Sequence, residues 1–257
     1  SGAGTCGHWL FEPQSTNLYL YSEPRGNESS VANVSYENFN WAIGFTNCVK
    51  YGDNSVLRYR YGGTVSASTE YTLSAFIIMD DLSEPIIGGQ TSGNDFTFVL
   101  GGAVYSNANS SINMGNNIWR VSVTATSTAS PSVANNGIIK YTAQSSKGFR
   151  VVGLQLEENS FATSYIPTNG AISTRLQDVA NGAGSSDLIN STEGVLYFEG
   201  SALANDLTNR TIGILGDSNN LIELAYRNNT NQIRCLIKSS GVVEVNIQHT
   251  LSDVTLN

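Results

Sequence analysis

The chain has 257 residues, 40% of them hydrophobic and only 13% charged, and 13 Lys+Arg against 21 Asp+Glu leave a net charge of −8. With so few and so scattered cations a phosphate backbone is repelled, so a nucleic-acid partner is not expected. The composition is too apolar for disorder and too polar for a membrane span, and no run of about 18 apolar residues occurs.

The first residues, SGAGTCGHWLFEP, carry neither a basic n-region nor a continuous apolar core, so no signal peptide is expected there. Further on, apolar residues recur with period two. Tyr71 to Ile78 predicts a strand with a mostly apolar face, and Asp95 to Leu100 another that ends at Gly101-Gly102. From Trp119 to Thr126, Trp119, Val121, Val123 and Ala125 share one face, and Arg120, Ser122, Thr124 and Thr126 the other; Trp119 is therefore read as core. Ile138 to Thr142 and Phe149 to Leu156 follow. Gly62-Gly63, Gly88-Gly89, Asn116-Asn117 and Asn135-Asn136-Gly137 are turn signals between these runs. No helical pattern is convincing.

A composition shift at Pro167-Thr168-Asn169-Gly170 and Asn181-Gly182-Ala183-Gly184 predicts a boundary, with one domain over 1–166, a linker over 167–186 and a second region over 187–257. In the second region Gly194 to Gly200, Arg210 to Leu215, Leu221 to Tyr226 and Gln232 to Ile237 read as strands, with a hairpin turn at Asn228 to Asn231. The fold class expected is all-β: an antiparallel jelly-roll sandwich, then a second, incomplete sandwich. About 70 residues are too few for a two-sheet sandwich of about 100. Either the natural chain continues or another chain covers the open edge.

Catalytic signals are weak. Glu157 and Glu158 are adjacent on a strand end and so point to opposite faces, which rules them out as a glycosidase pair flanking one bond. His8 and His249 are the only histidines, no Gly-x-Ser-x-Gly or P-loop occurs, and no hydrolytic activity is expected. Cys6, Cys48 and Cys235 are odd in number and lack a CxxC, so zinc is not expected; they read as free thiols, with a Cys6–Cys48 pair left open.

Four stretches carry a resemblance: FEPQSTNLYLYSE (11–23), NNIWRVSVTATST (116–128), GLQLEENSFATSYIPTNGAISTRLQDVA (153–180) and SSDLINSTEGVLYFEG (185–200). They resemble the carbohydrate-binding-module-like jelly-roll domain of phage tail fibre, tail spike and related virion proteins. That family opens on a Leu-Glu-Pro-Gln-x-Thr-Asn-Leu signature and closes on Gly-x-Gln-Leu-Glu followed by Ser-Tyr-Ile-Pro-Thr. The segment after it resembles the first half of a concanavalin A-like (laminin-G-like) lectin domain. Here Phe11 stands where Leu is usual, and Ser15 where Arg is common.

The resemblance implies a non-catalytic glycan-binding or adhesion region of a virion appendage, extracellular, attached to host surface polysaccharide. Its implied partners are that glycan, other virion subunits and a homotrimer. A structural spacer, or the accessory module of a longer polysaccharide-degrading enzyme, are the alternatives. No cofactor is required; a structural calcium would call on Glu23 and Glu157. Sugar stacking needs an exposed ring flanked by polar groups. Trp41, with Tyr36, Asn38 and Asn40 around it, is one candidate, with core packing as its other reading. Tyr59 and Tyr61, in LRYRYGG, form the second, with a half-buried edge strand as theirs.

Overall fold

The computed structural model describes residues 11–26, 31–52, 57–60, 63–105, 109–132, 135–179, 194–195, 197–215 and 217–255. These residues hold strands and no helix, as expected. In chain order the strands are β1 (Ser15–Asn17), β2 (Val31–Ala32), β3 (Ser35–Asn38), β4 (Asn47–Tyr51), β5 (Leu57–Arg60), β6 (Glu70–Met79), β7 (Thr97–Leu100), β8 (Ala103–Tyr105) and β9 (Asn109–Asn113). Then come β10 (Trp119–Thr126), β11 (Gly137–Lys140), β12 (Phe149–Glu157), β13 (Ser173–Arg175), β14 (Arg210–Leu215), β15 (Leu221–Tyr226), β16 (Gln232–Ser239) and β17 (Val242–Thr250). The chain divides into two compact units, Ser1–Val179 and Ala180–Asn257.

In the first unit a six-stranded sheet runs β3-β4-β12-β6-β10-β9 and a five-stranded sheet runs β2-β5-β11-β7-β8. All their pairings are antiparallel. Apolar residues of both sheets meet between them. Leu73, Ala75, Ile77, Val121, Val123, Val151 and Leu156 come from the first, and Phe98, Leu100 and Ile138 from the second. Period-two alternation puts these side chains on one face, and burying them drives the two layers together. Trp119 packs against this core but is only half-buried. The β9–β10 turn shows how local chemistry sets register. Asn116 and Asn117 both have positive φ, and Ile118 N donates to Gly115 O at 2.9 Å. Two left-handed central residues make the type I′ turn whose twist matches the strands, and Asn tolerates that region.

β6 departs from alternation. From Tyr71 to Met79 every residue is buried. Phe76 and Ile78 face away from the inter-sheet core and join Val152, Cys48 and Ile118 in a second apolar cluster. That cluster is covered by the β3–β4 loop, through Trp41 and Phe45, and by Tyr165. The outer face of the six-stranded sheet is therefore capped by a small core of its own.

β12 carries a bulge. Its register against β6 shifts between Val152 and Gln155, so Gly153 and Leu154 together oppose Ala75. Gly153 sits at φ +64, and a Cβ there would lie 2.7 Å from the Phe76 ring. Glycine satisfies both the left-handed backbone and the close approach.

The segment 167–179, expected as the start of a linker, is instead bound into the first unit. β13 pairs with β1 as Ser15↔Arg175, Thr16↔Thr174 and Asn17↔Ser173. The same register continues on both sides. Asp178 N donates to Glu12 O at 3.0 Å, Gly170 N to Leu20 O at 2.7 Å and Ser22 N to Thr168 O at 3.4 Å, and Tyr21 bridges Asn169. Residues 12–22 and 168–178 thus form one antiparallel ribbon.

The second unit holds a single antiparallel meander, β14-β15-β16-β17. Ile212, Leu224, Cys235 and Ile247 stand in one cross-strand row, and Ile222, Ile237 and Val245 in the next. This apolar face is at best half-buried, and Ile247 is 62% exposed. The opposite face holds the Glu223–Arg234 ion pair and the buried Ala225 and Leu236. Gly194 to Gly200, expected as a strand, is not one: its described residues lie outside strands and are exposed. No helix among the described residues is long and apolar enough to cross a membrane.

Candidate functional site

The proposed stacking platform does not exist at Trp41. Its ring is 2% exposed. The β3–β4 loop folds back on itself, with Trp41 N donating to Phe45 O at 2.8 Å and Gly44 N to Trp41 O at 2.9 Å. The indole is thereby turned inward, edge-on to Phe39 at 5.6 Å and against Phe76, Ile78 and Val152. Burial of a large apolar ring outweighs exposure to a ligand that is absent most of the time. No oxygen or nitrogen accepts from Trp41 Nε1; it faces the Cys48 thiol, which burial and then Glu37 push up to about 11. Tyr36 is half-buried against the main core, and Asn38 and Asn40 are exposed. Tyr59 is placed only by its backbone, opposite Ile138 and Val31; its side chain and all of Tyr61 lie outside the described residues, as do Cys6 and His8. His249, on β17, is exposed.

The residues that carry the resemblance come together elsewhere. Past its bulge β12 no longer pairs with β4, which reaches only Val151. The incoming segment takes over: Leu18 N donates to Leu156 O at 2.8 Å, and Leu154 N to Ser22 O at 2.9 Å. Between them the Asn17 carboxamide acts as a piece of strand. Its Oδ1 accepts from Leu156 N at 3.2 Å and Tyr19 N at 3.1 Å. Its Nδ2 donates to Leu154 O at 3.2 Å and Ile166 O at 2.9 Å. Both donors and both lone pairs of this fully buried amide are used.

Gln155, next on the outer face, holds the outgoing segment in the same way. Its Oε1 accepts from Ile166 N at 2.6 Å, and its Nε2 donates to Thr163 O and Ser164 O at 3.3 Å. Ser22 Oγ lies 2.6 Å from the Tyr165 hydroxyl and accepts from Thr168 N at 2.9 Å. Burial pushes the Tyr165 phenol up to about 12, so it stays protonated.

Glu157 completes the clasp. It is fully buried, and its carboxylate accepts from Ser15 Oγ at 2.6 Å, from Thr163 N at 3.1 Å and from Thr163 Oγ1. Arg120 lies on the same face, over the Phe76 ring at 4.7 Å, and donates to Ser74 Oγ at 2.9 Å and Thr163 O at 3.1 Å. Desolvation lowers its pKa, while the carboxylates of Glu157 and Glu12 oppose that. Glu158 is exposed on the other side of the strand. The pair thus points to opposite faces, and the buried acid is saturated with protein donors. Among the described residues no group of three or more His, Cys, Asp or Glu could hold a metal. Of the suggested calcium ligands, Glu157 is engaged by Ser15 Oγ, Thr163 N and Thr163 Oγ1, and Glu23 is half-buried near Tyr165.

Two of the clefts among the described residues bear on binding. One, about 240 Å³, is bordered by Gln14, Ser15, Thr16, Leu18 and Glu158. The other, in the second unit, is bordered by Asp206, Arg210, Tyr226 and Val254 and holds about 10 Å³, no more than one water. The first is lined by the Gln14 amide and the Glu158 carboxylate, with the Ser15 and Thr16 hydroxyls already engaged by Glu157 and Thr174. Sequence reasoning missed it, because the incoming segment meets the end of β12 only through long-range bonds, Leu18 N to Leu156 O and Ser15 Oγ to Glu157.

No protein-family model matches this chain, and no curated protein matches it. Among solved structures, the chain is similar to one from the structure of the tripod (BppUct-A-L) of the baseplate of bacteriophage Tuc2009, at 12% identity and a TM-score of 0.27, covering 93% of this chain and 98% of that one. A likeness that weak fixes neither fold nor function.

Proposed function

We propose that this chain is a non-catalytic region of a phage tail fibre or related virion appendage that attaches to host surface polysaccharide. One observation carries the reading. The residues that give the sequence its resemblance, Glu12, Asn17, Gln155, Glu157, Tyr165 and Thr168, interlock as one clasp in a two-sheet antiparallel sandwich. Their meeting in one place supports a common structural role for the stretches that carry the resemblance. The buried, fully hydrogen-bonded Glu157 supports a non-catalytic role, since a general acid or nucleophile must reach substrate. The cleft beside Gln14 and Glu158 is the sugar contact in this reading, with the amide and carboxylate meeting ring hydroxyls.

The test is a glycan array, with host-cell adsorption, on the assembled protein. Binding that falls at least tenfold in Glu158→Ala, with an unchanged melting temperature, supports the assignment. Binding unaffected by Gln14→Ala and Glu158→Ala would remove the cleft, and no binding at all would remove the adhesion role. The second reading is a structural spacer in the virion, and the burial of Trp41 favours it by removing the stacking ring.

A further inference from the structure

The ribbon of residues 12–22 with 168–178 bears on how the first unit meets force. Its pairing is antiparallel throughout, from Asp178 N on Glu12 O to Ser22 N on Thr168 O. The chain before Glu12 and the chain after Asp178 therefore leave from the same end of the ribbon. A load carried along the chain enters and exits there. It opens the ladder one pair at a time, whereas strands pulled from opposite ends share the load over every bond. We infer that the ribbon is a mechanical strap, which peels before the sandwich feels the load.

The loaded end is pinned. Arg175 lies 3.3 Å from Glu12 Oε2 and 3.6 Å from Asp178 Oδ2, and donates to Pro13 O at 3.2 Å. Glu12 N donates to Asp178 Oδ2 at 2.9 Å, and Glu12 Oε1 accepts from Ser164 N at 2.7 Å. One guanidinium thus ties both strands at the mouth, and the bidentate geometry of Arg suits that place. Further in, Thr16 and Thr174 face each other at 2.8 Å between hydroxyl oxygens. The inner end is held by Asn17 and Ser22, which belong to the clasp on β12. The strap has a mouth closed by Glu12, Arg175 and Asp178, of which only Asp178 is exposed, and a buried root.

Single-molecule pulling of the full chain from its two ends tests this. The first unit should open in two stages. Freeing Glu12 to Thr16 and Thr174 to Asp178, up to the clasp, adds about 34 Å, and the rest of the unit, from Asn17 to Ser173, then adds about 530 Å, at roughly 3.4 Å per residue. Arg175→Gln should shorten the lifetime of the first stage about fivefold to tenfold at constant load and leave the second stage unchanged. Val121→Ala, in the main core, should shorten the second stage and spare the first. If Arg175→Gln does not melt cooperatively, Asp178→Asn replaces it. A single stage with no short precursor, or a first stage that follows Val121 and ignores Arg175 and Asp178, would overturn the inference.

Discussion

β6 and β17 are strands of nearly equal length with opposite fates. In β6 nine of ten residues are buried; in β17 only Val245 is even half-buried. Both are rich in β-branched or aromatic residues that favour extended backbone. What separates them is the layers. β6 has a second sheet on one face and the Trp41 cluster on the other. β17 belongs to one sheet whose apolar face, among the described residues, is left half open. Strand propensity is enough to build a ladder, but burial comes from what is laid over it.

The largest effect expected is on the ends of the better-covered unit. A chain of residues 1–166, which stops at the boundary suggested by composition, loses Thr168, β13 and Arg175. It should show no cooperative melt by circular dichroism, while 1–179 should melt in one transition. If 1–166 melts like 1–179, the ribbon is an ornament. Next in size is Trp41→Ala. Removal of this fully covered ring should cost about 3–5 kcal/mol in urea unfolding and leave glycan binding untouched. Loss of binding at unchanged stability would return Trp41 to the surface.

Gly153→Ala should cost about 1–3 kcal/mol, from a left-handed backbone and the overlap with Phe76. A smaller loss would mean that the bulge relaxes. The least effect belongs to the other unit. Ile247→Ser, on the open face, should change stability by less than about 0.5 kcal/mol. A loss of 2 kcal/mol or more, on the scale of about 2–5 kcal/mol for a covered aliphatic side chain, would show that this face is covered in solution and would narrow the contrast between the two units.

Much of the sheet was legible because alternation is a local signal. Trp119 to Thr126 became β10 without change, and Arg210 to Leu215 and Leu221 to Tyr226 became β14 and β15. Trp41 was misplaced by its neighbours, since Asn38, Asn40 and Asn47 make the stretch look like a solvent loop. A signal was available in β6. The run Ala75-Phe76-Ile77-Ile78-Met79 has no polar face, so both sides must be covered, and an aromatic loop is one way to do that. The clasp could not be read from spacing. Asn17, Gln155 and Glu157 are ordinary polar residues until the bulge in β12 brings in the incoming segment, and only the resemblance marked them. The segment 167–179 looked like a linker because a ribbon held by backbone pairing needs few apolar side chains.

That ribbon also makes the first unit portable. Paired residues of an antiparallel ladder have Cα atoms about 5 Å apart, close to the 3.8 Å that one peptide bond spans. A chain cut at Glu12 and Asp178 could be rejoined across the gap with almost no displacement of what lies on either side. The unit can therefore be lost, duplicated or exchanged as a cassette, and a deletion that joins Glu12 to Asp178 should leave the second unit folded. Recombination among chains of this kind would act on whole units with ends so placed, and the clasp residues would travel with them.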